Sequence, residues 1–83
     1  MKILYFAKIK EIIGKNEDSI YIDKQMTVED IVEKLKLIDQ SYKLAFNDLK
    51  NVKFSINCNY VNSFQTKVKN KDEIAFFPPV TGG

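Results

Sequence analysis

The chain has 83 residues, 45% of them hydrophobic and 12% aromatic, which is enough apolar material for one small core and too much for a disordered chain. Its 13 basic residues are all lysine and outnumber the 11 acidic residues only slightly, and the lack of arginine disfavours nucleic-acid recognition. With no histidine and a single cysteine, Cys58, the chain cannot build a Ser-His-Asp or Cys-His catalytic site, an internal disulfide or a multi-cysteine zinc site. Any chemistry in which it takes part therefore relies on another protein's active site.

Signals for membrane insertion and secretion are missing from the sequence. Its apolar runs are far shorter than the ~20 residues of a membrane helix, and it shows no charged-then-apolar leader with a cleavage site. We therefore expect a cytoplasmic protein that binds neither a membrane nor a nucleic acid.

Three short elements are predicted at the start of the chain. Residues 2–7 are almost all apolar, which is typical of an interior strand buried on both faces. One or two helical turns follow over residues 8–14, and Gly14 ends them. Residues 19–23 are β-branched and aromatic and predict a second strand that pairs with the first as a hairpin.

The middle of the chain predicts two helices. Thr27 is a capping residue for the first, and Asp30, three positions later, completes a variant of the capping box. Asp30 can also pair with Lys34 one turn further on. Apolar residues recur at helical spacing on one face of this helix: Val28, Ile31, Val32, Leu35 and Ile38. A second helix, entered at Asp39 or Ser41, repeats the spacing with Tyr42, Ala45, Phe46 and Leu49.

Strands and turns are predicted for the last third. Residues 54–57 alternate in polarity and lead through a tight turn into residues 60–61. Residues 70–72 signal another turn, in which Asn70 is the residue best able to adopt a positive φ. The last strand, residues 73–77, is nearly all apolar and therefore predicted to be interior.

The order of these elements predicts an α+β fold, a mixed sheet with helices packed on one face. The domain covers residues 1–77. Residues 78–83 form an extended tail, because Pro78 cannot continue a sheet ladder and a proline favours an extended residue before it. Six extended residues reach about 20 Å.

The tail ends in Gly82 and Gly83, two of the three glycines in the chain. Without side chains they can pass through a narrow channel and bring the terminal carboxylate close to the catalytic atoms of another protein. A carboxylate with a reference pKa near 3.5 is ionised at neutral pH and must be activated, most simply as an acyl-adenylate, before it becomes an acyl donor. The chain has no GxxxxGK(S/T) loop, so a separate enzyme would have to use ATP. A frayed terminus without a function is the alternative.

Residues 72–83, Asp-Glu-Ile-Ala-Phe-Phe-Pro-Pro-Val-Thr-Gly-Gly, resemble the C-terminal segment of the small subunits of molybdopterin synthase, the MoaD-type sulfur carriers. Residues 3–14 resemble the first strand of that family and the turn after it. The resemblance implies a β-grasp, ubiquitin-like fold. It also implies that an E1-like enzyme adenylates Gly83, that a sulfur-donor protein helps to convert it to a thiocarboxylate, and that the sulfur passes to cyclic pyranopterin monophosphate in the large subunit's active site.

The resemblance further implies a role for the whole tail. It implies a chain that is not an enzyme by itself and binds no cofactor, ATP being used by the activating enzyme. The residues that would thread into the large subunit ahead of Gly83 are Pro78, Pro79, Val80, Thr81 and Gly82. Phe76 and Phe77 are candidate interface residues, and strand alternation turns one of them inward and the other outward as an anchor for the partner.

Several alternatives stay open. The same activated tail would serve a sulfur carrier for thiazole, cysteine or tRNA thiolation, or a ubiquitin-like protein modifier, and a passive adaptor would not use it at all. Cys58 is either a sulfur relay or an incidental turn residue. Five lysines without an intervening acid form either a solvated face or a surface that steers an acidic partner or anionic substrate: Lys50, Lys53, Lys67, Lys69 and Lys71.

Overall fold

The computed structural model describes residues 1–79, which fold into strands and three α-helices. The strands are β1 (Lys2–Tyr5), β2 (Glu17–Ser19), β3 (Met26–Thr27), β4 (Lys53–Ile56), β5 (Asn59–Val61), β6 (Lys67–Val68) and β7 (Glu73–Phe77). The helices are α1 (Ala7–Ile13), α2 (Val28–Lys36) and α3 (Gln40–Ala45), and a 3-10 turn follows at Leu49–Asn51. The predicted α+β class is confirmed.

The main sheet has five strands in the order β2-β1-β7-β4-β5, and β3 and β6 pair separately. β7 lies at its centre, parallel to β1 and antiparallel to β4. The prediction that the first and last strands are interior is confirmed. The prediction that β1 is buried on both faces was wrong, because Ile3 and Tyr5 are buried whereas Leu4 between them is only half-buried.

The helices cover one face of this sheet and form the core with it. Alternate strand residues point into this core: Ile3, Tyr5, Phe54, Ile74 and Phe76. The helices contribute Val28, Ile31, Val32, Leu35, Tyr42 and Ala45. Each large apolar side chain buried in this way contributes roughly 1.5–3 kcal/mol. The opposite face of the sheet has no helix on it within residues 1–79, and we call it the open face.

Three local sequence signals are confirmed. Gly14 ends α1 with φ +85°, a left-handed conformation that glycine adopts without steric cost. Thr27 and Asp30 form the reciprocal capping box, with both hydrogen bonds at 3.1 Å. Asn57 and Cys58 join β4 to β5 with φ values of +50° and +71°, the signs that a type I′ two-residue hairpin turn requires.

The second strand lies earlier in the chain than predicted. β2 covers Glu17–Ser19, whereas residues 19–23 had the β-branched composition of a strand. Ile22 is buried at 3% exposure, so its apolar character is explained by the core. Its N–H, however, donates to the side-chain oxygen of Asn70 at 3.0 Å rather than to a strand.

The expected positive φ at Asn70 was also wrong. Among the non-glycine residues of the described part, positive φ values occur at Ala7, Asn57 and Cys58. Asn70 acts through its side chain, whose oxygen also accepts a hydrogen bond from the N-terminal ammonium group at 3.2 Å. This amide therefore ties the last turn to the start of the chain.

The end of α2 differs from the prediction as well. The helix stops at Lys36, so Ile38 lies beyond it and is 56% exposed instead of buried. The predicted ion pair between Asp30 and Lys34 is not among those found within residues 1–79. The Asp30 carboxylate instead accepts the capping-box hydrogen bond, and Lys36 forms an ion pair with Glu33 at 3.3 Å.

The second predicted helix is shorter than its apolar spacing indicates. Asp39 caps it by accepting a hydrogen bond from the N–H of Ser41 at 3.0 Å, but the helix ends at Ala45 and Leu49 begins the separate 3-10 turn. None of the helices within residues 1–79 has the length and apolar character needed to cross a membrane.

Candidate functional site

The tail leaves the domain from the centre of the main sheet. β7 ends at Phe77, and Pro78 and Pro79 follow as half-buried residues without strand pairing. Because β1 and β7 are parallel, both strands end at the same edge, where α1 also begins. The central strand β7 is paired with β1 on one side and β4 on the other, so the point from which the tail starts is anchored in the sheet. The remaining predicted tail residues lie outside the described residues: Val80, Thr81, Gly82 and Gly83.

The two phenylalanines before the tail point in opposite directions. Phe76 has 0% exposure, and its ring packs edge-on against Phe46 with 5.0 Å between centroids. Phe76 therefore belongs to the core and cannot contact a partner of the folded chain, which corrects its inclusion among the interface residues. Phe77 is half-buried on the open face of the sheet, so it is the outward-facing residue of the two.

Phe77 is part of an aromatic patch on the open face, which we define as Phe6, Tyr60 and Phe77. Tyr60 is 82% exposed and meets Phe77 in a T-shaped contact with 5.7 Å between ring centroids. Phe6 extends β1 beside the end of β7, its N–H donating to the carbonyl of Phe76 at 3.1 Å, and is 48% exposed. Exposed aromatic rings grouped in this way are typical of a protein interface.

Tyr60 and Phe6 were missed by the sequence analysis. The signal for Tyr60 was its position on a strand paired with β4, where it lies opposite Ser55 on the open face. That pairing partner depends on the register between strands, which the residues of either strand alone do not reveal.

An apolar groove of about 480 Å³ lies between α1, α3 and the 3-10 turn, on the side of the tail base away from the aromatic patch. Its walls include Ile9 and Ile12 from α1 and Leu44 from α3, with Pro78 and Pro79 at the base of the tail. The two prolines therefore leave the domain between the aromatic patch and this groove.

Near the edge of the sheet where β1 and β7 end, the Asp18 side chain links β1, β2 and α3. Its Oδ2 atom accepts hydrogen bonds from the Tyr5 hydroxyl at 2.8 Å and from the Tyr42 hydroxyl, and its Oδ1 atom accepts one from Lys15 Nζ at 3.1 Å. Burial opposes ionisation of Asp18, but the hydrogen bonds from Tyr42, Tyr5 and Lys15 outweigh it and hold the pKa of the carboxyl below its usual range. Burial and the Asp18 carboxylate together raise the pKa of Tyr5, so its hydroxyl stays protonated. This cluster fixes the strand from which Phe6 extends.

Comparison with known proteins assigns the chain to a family. The family model described as the ThiS family matches residues 3–83. The chain belongs to the ThiS family. Among curated relatives, the molybdopterin synthase sulfur carrier subunit of Dictyostelium discoideum is 42% identical, with 99% of this chain and 94% of the relative covered.

Solved structures agree with this ThiS-family assignment at the level of the fold. The crystal structure of SAMP1 from Haloferax volcanii has a TM-score of 0.81 and 24% identity, covering 100% of this chain and 98% of that one. A chain from the complex of subunits 1 and 2 of the molybdopterin-converting factor of Helicobacter pylori has a TM-score of 0.66 and 21% identity, covering 99% and 96%. The fold expected from the MoaD-type resemblance is therefore confirmed.

Other candidate groups of this ThiS-family chain lie away from the tail. Cys58 is exposed in the β4–β5 turn, at the opposite edge of the sheet, because β4 is antiparallel to β7 and places Ile56 beside Ile74. A thiol at that edge is poorly placed for a relay to the tail. Within residues 1–79 no three His, Cys, Asp or Glu side chains are grouped to hold a metal ion.

Proposed function

We propose that this chain is the sulfur carrier subunit of a molybdopterin synthase and that its working group is the carboxylate of Gly83. The observation that carries the proposal is the match of the ThiS family through the last residue, together with a relative of that name at 42% identity over nearly all of both chains. The fold supports it, because the central strand of the sheet, paired on both sides, leads directly into the tail.

The division of labour follows from the chemistry of the terminus. An ionised carboxylate is a poor electrophile, so an E1-like enzyme must join it to AMP, with pyrophosphate released from ATP. Hydrosulfide supplied by a donor protein then attacks the acyl carbon and displaces AMP, which leaves a thiocarboxylate at Gly83. The chain itself supplies no catalytic group for these steps and holds no cofactor in the proposal. The cytoplasmic location expected from the sequence belongs to the same proposal, since the chemistry consumes ATP.

In the proposal, docking on the large subunit brings the thiocarboxylate of Gly83 into that subunit's active site. The solved complex of subunits 1 and 2 of the Helicobacter pylori converting factor contains a chain of this fold, which supports an analogous pair here. We place the large subunit over the aromatic patch, with Phe77 as an anchor beside the tail, and Pro78 through Gly82 threaded into its active site. There the sulfur passes to cyclic pyranopterin monophosphate.

The test is the intact mass of the chain after incubation with ATP, an E1-like enzyme and a sulfur donor. We expect one terminal oxygen to be replaced by sulfur, and we expect the chain lacking Gly83 to fold normally but to gain no sulfur. As a control, the same E1-like enzyme is incubated in parallel with a second carrier on which it is known to act. An unchanged mass of the full-length chain would overturn the carrier proposal in favour of an adaptor.

A second measurement identifies the acceptor. The thiocarboxylated chain is mixed with the large subunit and cyclic pyranopterin monophosphate, and molybdopterin is measured. We expect molybdopterin to form. A thiocarboxylate that forms but is not consumed would instead assign the carrier to thiazole, cysteine or tRNA thiolation, or to protein modification.

A further inference from the structure

The lysines between Lys50 and Lys71 do not form one basic face. Lys53 lies on β4 opposite Phe77, at the tail end of the sheet. Lys71 lies in the turn that precedes β7, and the four residue steps of β7 from Glu73 to Phe77 separate the two ends by roughly 13 Å, at roughly 3.3 Å per residue. The basic segment of the sequence is therefore divided between the two edges of the sheet.

Three lysines lie at or next to the end of β7, and we call Lys8, Lys50 and Lys53 the lysine collar. Lys8 lines the apolar groove together with Pro78 and Pro79. Lys50 and Lys53 line one smaller pocket of about 270 Å³ beside the 3-10 turn. Lys53 also lines a shallow pocket with Tyr60 and Phe77, so the collar is continuous with the aromatic patch.

The charges of the collar are not neutralised by the described part of the chain. The ion pairs found within residues 1–79 involve Lys2, Lys15 and Lys36, and none involves a collar lysine. Asp48 is the acidic residue that lines the groove. Its carboxylate oxygens accept hydrogen bonds from the N–H of Lys50 at 3.0 Å and the side-chain amide of Asn51 at 2.9 Å, so it serves the 3-10 turn.

We propose that the lysine collar binds carboxylates of the large subunit at the mouth of the channel that receives the tail. The inference rests on the proposed function and adds the chemistry of the partner's surface to it. Lys8 lines a different pocket from Lys50 and Lys53, so the three lysines do not converge on a cradle for a single small anion. Their continuity with the aromatic patch fits a protein surface, which offers apolar contact and a charged rim together.

The collar acts mainly on the rate of association. Complementary charges at an interface steer the encounter of two proteins and raise association rate constants more than they lower dissociation rates. Steering matters for a carrier, because its tail must be aligned with a narrow channel before the aromatic patch can make contact. Lysine is suited to this role, since a flexible and hydrated ammonium group attracts at a distance without demanding one geometry.

The test compares two charge reversals of equal size at opposite edges of the sheet. Association of the full-length chain with the large subunit is measured by stopped flow at about 0.1 M salt, where the screening length is about 10 Å. We expect Lys53→Glu to lower the association rate constant roughly 5–10-fold and Lys71→Glu to change it less than about twofold, because Lys71 lies beyond the far end of β7, more than one screening length away. Both variants change the net charge equally, so total charge is controlled.

Further measurements keep folding and function separate from the inference. Lys53→Gln removes the charge without reversing it and should give an intermediate rate, and the melting temperature of each variant verifies that it is folded. In about 1 M salt the rates of the wild type and of Lys53→Glu should converge. Equal effects of Lys53→Glu and Lys71→Glu, or a difference that persists at high salt, would overturn the collar. A wild-type chain that does not bind the large subunit at all would overturn the proposed function instead.

Discussion

Single residues beneath the tail edge determine how the strand ends are held, and Asp18 is the main one. It is an acidic residue in the short strand β2, and its carboxylate accepts hydrogen bonds from two tyrosines that come from β1 and α3. The local sequence does not reveal this role, because Tyr5 and Tyr42 are 13 and 24 residues away. A buried phenol without an acceptor costs stability, so both tyrosines depend on this one carboxylate.

Replacing Asp18 with asparagine tests this dependence. An amide offers only neutral hydrogen bonds and no charge for Lys15, so we expect the free energy of unfolding at neutral pH to fall by about 1–2 kcal/mol. The folded-state pKa of Asp18 is depressed, so its contribution is present above the usual aspartate pKa of about 3.9 and is lost as the pH falls through the lower folded value. Urea unfolding between neutral and strongly acidic pH would measure both effects.

The acid dependence of the Asp18→Asn variant is the control. Hydrogen bonds also lower the pKa of Asp39 and of Asp72, so the variant should keep part of the wild-type loss of stability in acid. We expect its stability to fall less steeply below about pH 4 than that of the wild type. Parallel curves for the two proteins would show that the Asp18 cluster does not contribute.

At the scale of elements, the capping box of α2 makes a prediction that is independent of the tail. Thr27→Ala removes the hydroxyl that accepts the N–H of Asp30 at 3.1 Å, and we expect a loss of about 1 kcal/mol. For a domain of this size that corresponds to a fall of roughly 4–8 °C in melting temperature. Thr27→Ser keeps the hydroxyl and is the matched variant, which should melt within a degree or two of the wild type. Equal melting temperatures for the alanine and serine variants would contradict the cap.

Elements with a local cause could be predicted from the sequence, and elements with a distant cause could not. Gly14 and Thr27 act on their own helices, so the C-terminal end of α1 and the start of α2 were predicted correctly. Ile22 has the β-branched character of a strand residue, but its burial and its bond to Asn70 depend on a turn 48 residues away. The tail is a local sequence motif and was recognised from the sequence. The aromatic patch was not, because Tyr60 meets Phe77 only after β4 has paired with both β5 and β7.

At the scale of the whole molecule, the two faces of the sheet have different tasks. The helices and the core cover one face and provide stability, while the proposed function assigns the open face and the tail to a partner. An 83-residue chain has a small core, so residues that a partner needs must lie outside it if binding is to be separable from folding. Phe76 and Phe77 show the division within one strand, since the first is in the core and the second is in the aromatic patch.

This division predicts that the patch can be altered without loss of the fold. Tyr60 is 82% exposed, so Tyr60→Ala should leave the melting temperature nearly unchanged but weaken binding to the large subunit about tenfold, or about 1.4 kcal/mol. Tyr21 is 75% exposed in the segment after β2, away from the aromatic patch, and Tyr21→Ala is the matched control that should bind normally. Calorimetric titration of each variant with the large subunit measures the two affinities. Equal affinities for the two variants would remove the aromatic patch from the interface, even if the tail still carries sulfur.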